Sequence, residues 1–238
     1  MEKTRKTKNS LKHFLPYLVL SILFAILIFV LPACNNESEV ITPPSAENTT
    51  VGFYTEGEQD NHSIQITEAK FIIKHMTLKR DGGEDDCNLR LGPFIVRLDP
   101  VQRMAIGVIG YIPDGNYDAI KFHVHKPSPN EDIGDPDFIE SNNRRYSVVV
   151  KGYYNGQFFI YKSKLNVVKK IDFETYPVSL TSEQAIFLTI RVNPYSWFFK
   201  HGNFLDPENE HNHHEIDHNI KNSLKRAFRD MNQDGEPD

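Results

Sequence analysis

The sequence predicts a mainly β fold, an antiparallel β-sandwich with one C-terminal α-helix. Two observations predict it. Short runs rich in Ile, Val, Phe, Tyr and Thr recur between turn residues, and no helical period interrupts them before the C-terminal region. Short strands at such spacing, without intervening helices, favour antiparallel pairing. The predicted strands are 63–68, 70–80, 94–98, 117–125, 145–154, 157–163 and 185–193.

Two local patterns predict which face of one strand is buried and where one hairpin turns. Ile120, Phe122 and Val124 alternate with polar residues, which predicts one buried and one solvated face for their strand. Asn155-Gly156 lies between two apolar runs. Because Asn and Gly accept positive φ angles, this dipeptide predicts a tight hairpin between 145–154 and 157–163.

One amphipathic helix is predicted at about 213–229. Its apolar residues repeat at helical spacing, and basic residues crowd its end, where cations favour the helix dipole. The apolar stripe is Ile216, Ile220, Leu224, Ala227 and Phe228, and the terminal cations are Lys225, Arg226 and Arg229. Four aromatic residues upstream are expected to plug that end of the core: Trp197, Phe198, Phe199 and Phe204.

The N-terminus has the pattern of an export signal. A basic head precedes the apolar run 15–31, and a small residue, Ala33, stands directly before Cys34. This arrangement resembles a lipoprotein signal, which implies cleavage after residues 1–33 and acylation of the Cys34 thiol. The alternative is an uncleaved membrane helix, since the apolar run lies at the lower limit for spanning a bilayer. Residues 34–50 are predicted to be a flexible tether.

Charge limits the choice of partners. The chain holds 27 basic residues (Lys and Arg) and 32 acidic residues (Asp and Glu). Five of the bases and one of the acids lie in 1–33, so residues 34–238 hold 22 bases and 31 acids, a net charge of −9. Such an acidic exported protein is not expected to bind nucleic acid.

We expect the protein in the bacterial cell envelope, anchored to outer-membrane lipid and facing the periplasm or the cell surface. Cys87 is expected to be a small buried or idle thiol rather than a nucleophile.

The domain pattern resembles that of lipoproteins of unknown function, common in the Bacteroidetes, that carry a transthyretin-like (prealbumin-like) β-sandwich. Four segments carry the resemblance: 112–117 (IPDGNY), 150–158 (VKGYYNGQF), Trp197-Phe198 and Leu205-Asp206-Pro207, followed by an Asp-rich terminus. The resemblance implies a sandwich over 51–205, followed by a helix and an acidic loop in 206–238. It implies no particular activity, because sandwiches host many functions.

The C-terminus reads D-x-N-x-D-G-x-x-D and resembles the calcium loops of EF-hand, dockerin and thrombospondin type. Alternate side chains of a tight loop can direct several oxygens to one point, which calcium requires. The predicted ligands are Asp230, Asn232, Asp234, the carbonyl of Glu236, and Asp238. The chain ends before the bidentate Glu of a full EF-hand loop. A structural Ca²⁺ is predicted, and a plain solvated acidic tail is the alternative.

Histidines supply the second candidate metal site. His211, His214 and His218 cluster near the helix start, and His214-Glu215-Ile216-Asp217-His218 matches the zinc-protease pattern H-E-x-x-H. On a helical wheel His214 and His218 lie far from the apolar stripe, which favours solvated residues over an active site. His123 and His125 point the same way from one strand, a spacing that can chelate Zn²⁺, Cu²⁺ or Ni²⁺. No third ligand is identifiable from the sequence, and a wet strand face is the alternative.

The sequence contains no other pattern of a catalytic site. It has no phosphate-binding loop and no nucleophile elbow, and the carboxylates at 131–137 are expected to form a solvated loop. The predicted function is therefore a non-catalytic binding module with an unknown protein or glycan ligand. The alternatives are a metal-handling lipoprotein and, more remotely, a zinc hydrolase using H-E-x-x-H.

Overall fold

The computed structural model describes residues 47–56, 63–83, 87–98, 100–174, 177–181 and 183–238. Over these ranges the chain forms thirteen β-strands, one α-helix and three short 3₁₀ segments. The strands are β1 (Thr49–Thr55), β2 (Ile64–Arg80), β3 (Cys87–Leu98), β4 (Met104–Gly110), β5 (Gly115–Val124), β6 (Val148–Tyr154), β7 (Gln157–Ser163), β8 (Val167–Asp172), β9 (Val178–Leu180), β10 (Ile186–Val192), β11 (Phe199–Lys200), β12 (Asn203–Phe204) and β13 (Arg226–Arg229). The helix is α1 (Glu210–Ser223), and the 3₁₀ segments are Asp81–Gly83, Pro136–Phe138 and Pro194–Phe198.

Two larger sheets form the framework. The first has the order β13-β10-β1-β4, in which β1 runs parallel to β10 and the other pairs are antiparallel. The second has the order β7-β6-β2-β5-β8, with β3 on β2 and β9 on β5. The long strand β2 pairs with β6 over 64–71 and with β5 over 73–80. The prediction of a mainly β sandwich with one α-helix is confirmed.

The core lies between the two sheets. Phe53 of β1 meets Phe71 of β2 edge to face at 5.5 Å between ring centroids. A Cβ on Gly107 of β4 would lie 2.5 Å from the Phe53 ring, so this position requires glycine. On β5 the predicted alternation is present, since Ile120, Phe122 and Val124 are buried.

The Asn-Gly hairpin is confirmed, and seven strands were not predicted: β1, β4, β8, β9, β11, β12 and β13. Asn155 and Gly156 have φ angles of 49° and 80° and join β6 to β7. The strands predicted at 63–68 and 70–80 form one continuous strand, β2. Two of the unpredicted strands have an untypical composition, since β4 contains two glycines and β8 contains two lysines. Such residues are depleted in strands, and pairing with neighbouring strands overrides their weak propensity.

The predicted helix 213–229 is wrong at both ends. Asn209 caps α1 by accepting a hydrogen bond from the backbone N–H of His211, so the helix starts earlier, and Leu224 leaves the helical conformation. Residues 226–229 then form β13, which pairs with β10. This pairing satisfies backbone groups along β10, and tertiary context thereby overrides local helix propensity.

The aromatic plug is confirmed in part. Trp197 and Phe198 are fully buried, whereas Phe199 is 41% exposed. The Trp197 indole N–H donates to the hydroxyl of Ser223, and the side chain of Asn219 donates to the Trp197 carbonyl. These bonds hold α1 against the Pro194–Phe198 segment.

Candidate functional site

The segment between β5 and β6 folds back over the outer face of the second sheet. Asp135 caps the Pro136–Phe138 segment by accepting a hydrogen bond from the Asp137 N–H. Phe138 is fully buried and forms a small apolar cluster with Ile72 and Val149. The segment is therefore packed onto the sheet by a core of its own.

A buried lysine holds the same segment by charge. The Lys70 ammonium on β2 donates to Asp135 at 2.9 Å and to Asp137 at 2.5 Å, and it lies 3.2 Å from a Glu68 oxygen. Its side chain is 3% exposed and that of Asp135 is 7% exposed. Lys151 adds a second ammonium beside Asp137. The expectation of a solvated acidic loop is thus wrong at Asp135, because Lys70 of β2 and Arg97 of β3 pair with its carboxylate and allow its burial.

The pKa directions follow from this pairing. Burial by itself would lower the pKa of Lys70. The hydrogen bonds that its ammonium donates to Asp137, Asp135 and Glu68 outweigh the effect of burial, so the pKa is raised. Burial would likewise raise the pKa of Asp135 and Asp137, yet the ammonium groups hold both below the ordinary value of 3.8. Lys70, Asp135 and Asp137 are therefore charged at neutral pH.

Other residues of the same connection between β5 and β6 line an open depression of about 390 Å³. It is lined by His125, Lys126, Pro127, Ser128, Pro129, Asn143, Arg144, Arg145 and Lys164. Four of these residues are Lys or Arg, and none of the lining residues is Asp or Glu. The depression is thus a locally cationic site on a net acidic protein.

Arg145 is the best-fixed cation of this cationic depression. One guanidinium nitrogen, Nη2, donates to the Pro129 carbonyl at 3.1 Å and to the Asn143 side-chain oxygen at 3.3 Å. The other, Nη1, is buried and has no hydrogen-bond partner. Two glutamates lie close by: Glu131 accepts a hydrogen bond from the N–H of Ser128, which lines the depression, and Glu140 lies 3.6 Å from Lys162. Because Nη1 of Arg145 is buried, a ligand would reach it only if the side chain turned outward.

The predicted pair consists of His123 on β5 and His125 directly after it, and a third histidine, His75 of β2, lies next to His123. The ring centroids of His75 and His123 are 5.4 Å apart, and those of His123 and His125 are 5.0 Å apart. Sequence reasoning missed His75, because it is far from the pair along the chain and only strand pairing brings it there.

The helix histidines do not converge. His211, His214 and His218 are exposed on α1. Glu215 of the H-E-x-x-H pattern accepts a 2.5 Å bond from Lys200, which also lowers its pKa. As the side chains are placed in the described part of the chain, no group of three His, Cys, Asp or Glu converges to hold a metal ion.

The C-terminal loop folds around one buried carboxylate. Asp230 is 0% exposed, and its oxygens accept bonds from the Thr189 hydroxyl and the backbone N–H groups of Asp234 and Gly235. Gly235 has a φ of 84° and is packed against the Tyr54 ring, so only glycine suits this turn. Of the other predicted ligands, Asn232, Asp234, Glu236 and Asp238 are exposed.

Most side chains of the C-terminal loop accept their hydrogen bonds from backbone N–H groups. Asn232 and Asp234 accept bonds from N–H groups two residues further on, and Asp238 accepts from the Met231 N–H. Glu236 pairs with Arg191 at 3.1 Å. The loop thus gathers the predicted oxygen-bearing side chains into one turn.

Of the two cysteines, the structure describes one. The Tyr117 hydroxyl lies 3.3 Å from the Cys87 sulfur and 2.8 Å from the Pro113 carbonyl, and burial raises the pKa of Tyr117 to about 12. Cys87 is half-buried, not fully buried.

The predicted signal, residues 1–33, and the predicted lipidation site, Cys34, lie outside the described residues. Within the described ranges no helix has both the length and the apolarity needed to cross a bilayer.

Comparisons with known proteins add little. No protein-family model and no curated protein matches the chain. Among solved structures the chain is similar to MbnP from Methylosinus trichosporium, with a TM-score of 0.40 and 8% sequence identity over 68% of this chain and 80% of that chain. A similarity of this size transfers no ligand or activity.

Proposed function

We propose that this protein is a non-catalytic binding module, held at the cell envelope by acylated Cys34, whose cationic depression binds an anionic group of a glycan or protein ligand. One observation carries the ligand class: the depression is lined by four cations, Lys126, Arg144, Arg145 and Lys164, and by no carboxylate. A carboxylate or sulfate bound there would accept charge-assisted hydrogen bonds from these cations.

The depression is also preorganised. Its outer wall belongs to the segment that Lys70 and Phe138 fix to the sheet. A fixed wall loses little conformational entropy on binding, which favours affinity. The anchored Glu215 beside Lys200 supports a binding role over hydrolysis, since a carboxylate held by an ammonium is a poor general base.

The test is a binding titration of the full chain in non-ionic detergent. The probes are polygalacturonate, heparin and poly-L-glutamate, which separate carboxylated glycan, sulfated glycan and acidic polypeptide. Arg145→Gln and Lys164→Gln should each weaken the best probe about tenfold, the value of one charge-assisted hydrogen bond. Lys221→Gln, which removes one exposed helix cation, is the matched control and should change affinity less than about twofold.

Two outcomes contradict the proposal. One is a lack of binding to all three probes at 50 mM salt. The other is an equal loss in Lys221→Gln, which would indicate non-specific charge attraction.

The lipid anchor is a separate part of the proposal. It is supported by the basic head, the apolar run 15–31 and the small residue before Cys34. Cells fed an alkynyl fatty acid should label the wild type and Cys87→Ser but not Cys34→Ser. Labelling that survives in Cys34→Ser would refute acylation at that thiol.

We further propose that the C-terminal loop holds a structural Ca²⁺. Support comes from Asp230, whose buried carboxylate has only neutral donors. Buried carboxylates are usually paired with a cation or a metal. The donor types at Asp230, Asn232 and Asp234 suit calcium, which would neutralise this charge and fix the loop against β10.

A further inference from the structure

We propose that His75, His123 and His125 form a binding site for a late transition-metal ion, Zn²⁺ or Cu²⁺, on the outer face of β2 and β5. The site borders the cationic depression, whose lining includes His125, and differs from the calcium-type loop. It is also separate from the exposed histidines of α1. Four observations carry it.

A β-bulge brings the third histidine into place. The register of β2 against β5 shifts between Ile73, which pairs with Val124, and Met76, which pairs with Phe122. Two residues of β2, Lys74 and His75, therefore lie opposite the single residue His123. A bulge of this kind redirects a side chain, and here it places His75 beside His123 on the solvated face.

The ring spacing suits shared coordination. A metal bound by imidazole lies about 2.0–2.1 Å from the nitrogen, so two rings around a tetrahedral ion have centroids roughly 5 Å apart. The observed distances are 5.4 Å for His75–His123 and 5.0 Å for His123–His125. The rings meet at 67° and 60°. Each of these two pairs has the spacing of two ligands of one ion. As the side chains are placed in the described residues, no three of them converge, so binding by all three histidines requires side-chain rotation, which the partly exposed face permits.

One ring is already held as a metal ligand would be. Nε2 of His123 lies 2.6 Å from the Asn166 side-chain oxygen. Because that oxygen can only accept, Nε2 carries the hydrogen and Nδ1 keeps its lone pair. Metal-bound histidines commonly have such an outer partner, which fixes tautomer and ring orientation.

A second ring has a buried nitrogen without a partner, namely Nδ1 of His125. The neighbouring cations Lys74 and Lys121 oppose a further positive charge, so we expect micromolar rather than nanomolar affinity.

The experiment is a titration of the tag-free full chain in detergent with CuCl₂ or ZnCl₂ alone, followed by calorimetry and, for copper, by electron paramagnetic resonance. His123→Gln and His75→Gln should each weaken binding about tenfold or more and reduce the nitrogen hyperfine splitting. Asn166→Ala, which removes no ligand, should weaken binding about tenfold through lost ring orientation. His214→Gln/His218→Gln is the control for the exposed helix histidines and should leave this binding event unchanged.

The result that overturns the proposal is full affinity in His75→Gln and His123→Gln, or a loss confined to the helix double variant. Thermal unfolding of each variant checks that it folds, and Asn166→Ala tests the site without altering any histidine. Binding of the anionic probes in His75→Gln separates this proposal from the cationic depression. That binding should stay at the wild-type level whether or not the metal site exists.

Discussion

Two acidic segments of this protein bury a carboxylate in different ways. In 131–137, Asp135 is surrounded by the Lys70 ammonium and the Arg97 guanidinium, at 2.9 Å each. In 230–238, Asp230 is fully buried but is bonded to one hydroxyl and two backbone N–H groups. The nearby Arg191 pairs instead with Glu56 and Glu236.

The difference indicates where each segment obtains its compensating charge. In 131–137 the fold itself supplies the cations that compensate Asp135, so the stability of this segment depends on the chain alone. In 230–238 the hydroxyl and N–H dipoles stabilise the Asp230 carboxylate only in part, and a cation from solution would neutralise its charge. The first segment should therefore respond to substitution and pH, and the second to calcium.

The largest effect is expected from Lys70→Ala. It leaves Asp135 buried without its main partner, and breaking a buried ion pair costs about 3–5 kcal/mol. Urea unfolding followed by the fluorescence of the single tryptophan, Trp197, measures this free energy. The double variant Lys70→Met/Asp135→Leu removes both charges and should cost less than the single one. A loss below about 1 kcal/mol in Lys70→Ala would show that the pair contributes little.

The second effect is calcium-dependent stability. At 100 times its dissociation constant, a bound ion adds about 2.7 kcal/mol to the free energy of unfolding. Adding CaCl₂ after chelation should raise the melting temperature of the wild type but not of Asp234→Asn. Glu236→Gln is the control, because the proposed ligand at this position is a carbonyl. Equal melting temperatures in calcium and chelator would remove the contrast between the two segments.

The smallest of the three effects is the acid response of the first segment. The pKa of Asp135 and of Asp137 is lower in the folded state than the ordinary 3.8. Their stabilising contribution is therefore present above that value and is lost as pH falls through the folded-state pKa. Between about pH 5 and 3, the wild type should lose stability more steeply than Lys70→Met/Asp135→Leu. Parallel losses, measured by urea unfolding across this range, would contradict the assignment.

Much of the framework could be predicted because it depends on local pattern. The alternation at Ile120 and Phe122 reflects the two-residue period of a strand, and Asn155-Gly156 reflects the conformations those residues accept. Local pattern failed at 226–229. A helical stripe and a buried strand both need apolar residues there, and only pairing with β10 selects the strand.

The candidate sites divide in the same way. By itself the sequence determined which residues alternate, where the Asn-Gly hairpin turns and where oxygen-bearing side chains repeat in the C-terminal loop, because these depend on neighbours along the chain. Only the tertiary structure placed Lys70 against Asp135, 65 positions away, and His75 beside His123. Those contacts depend on strand register and on one bulge, which depend on how the whole core packs.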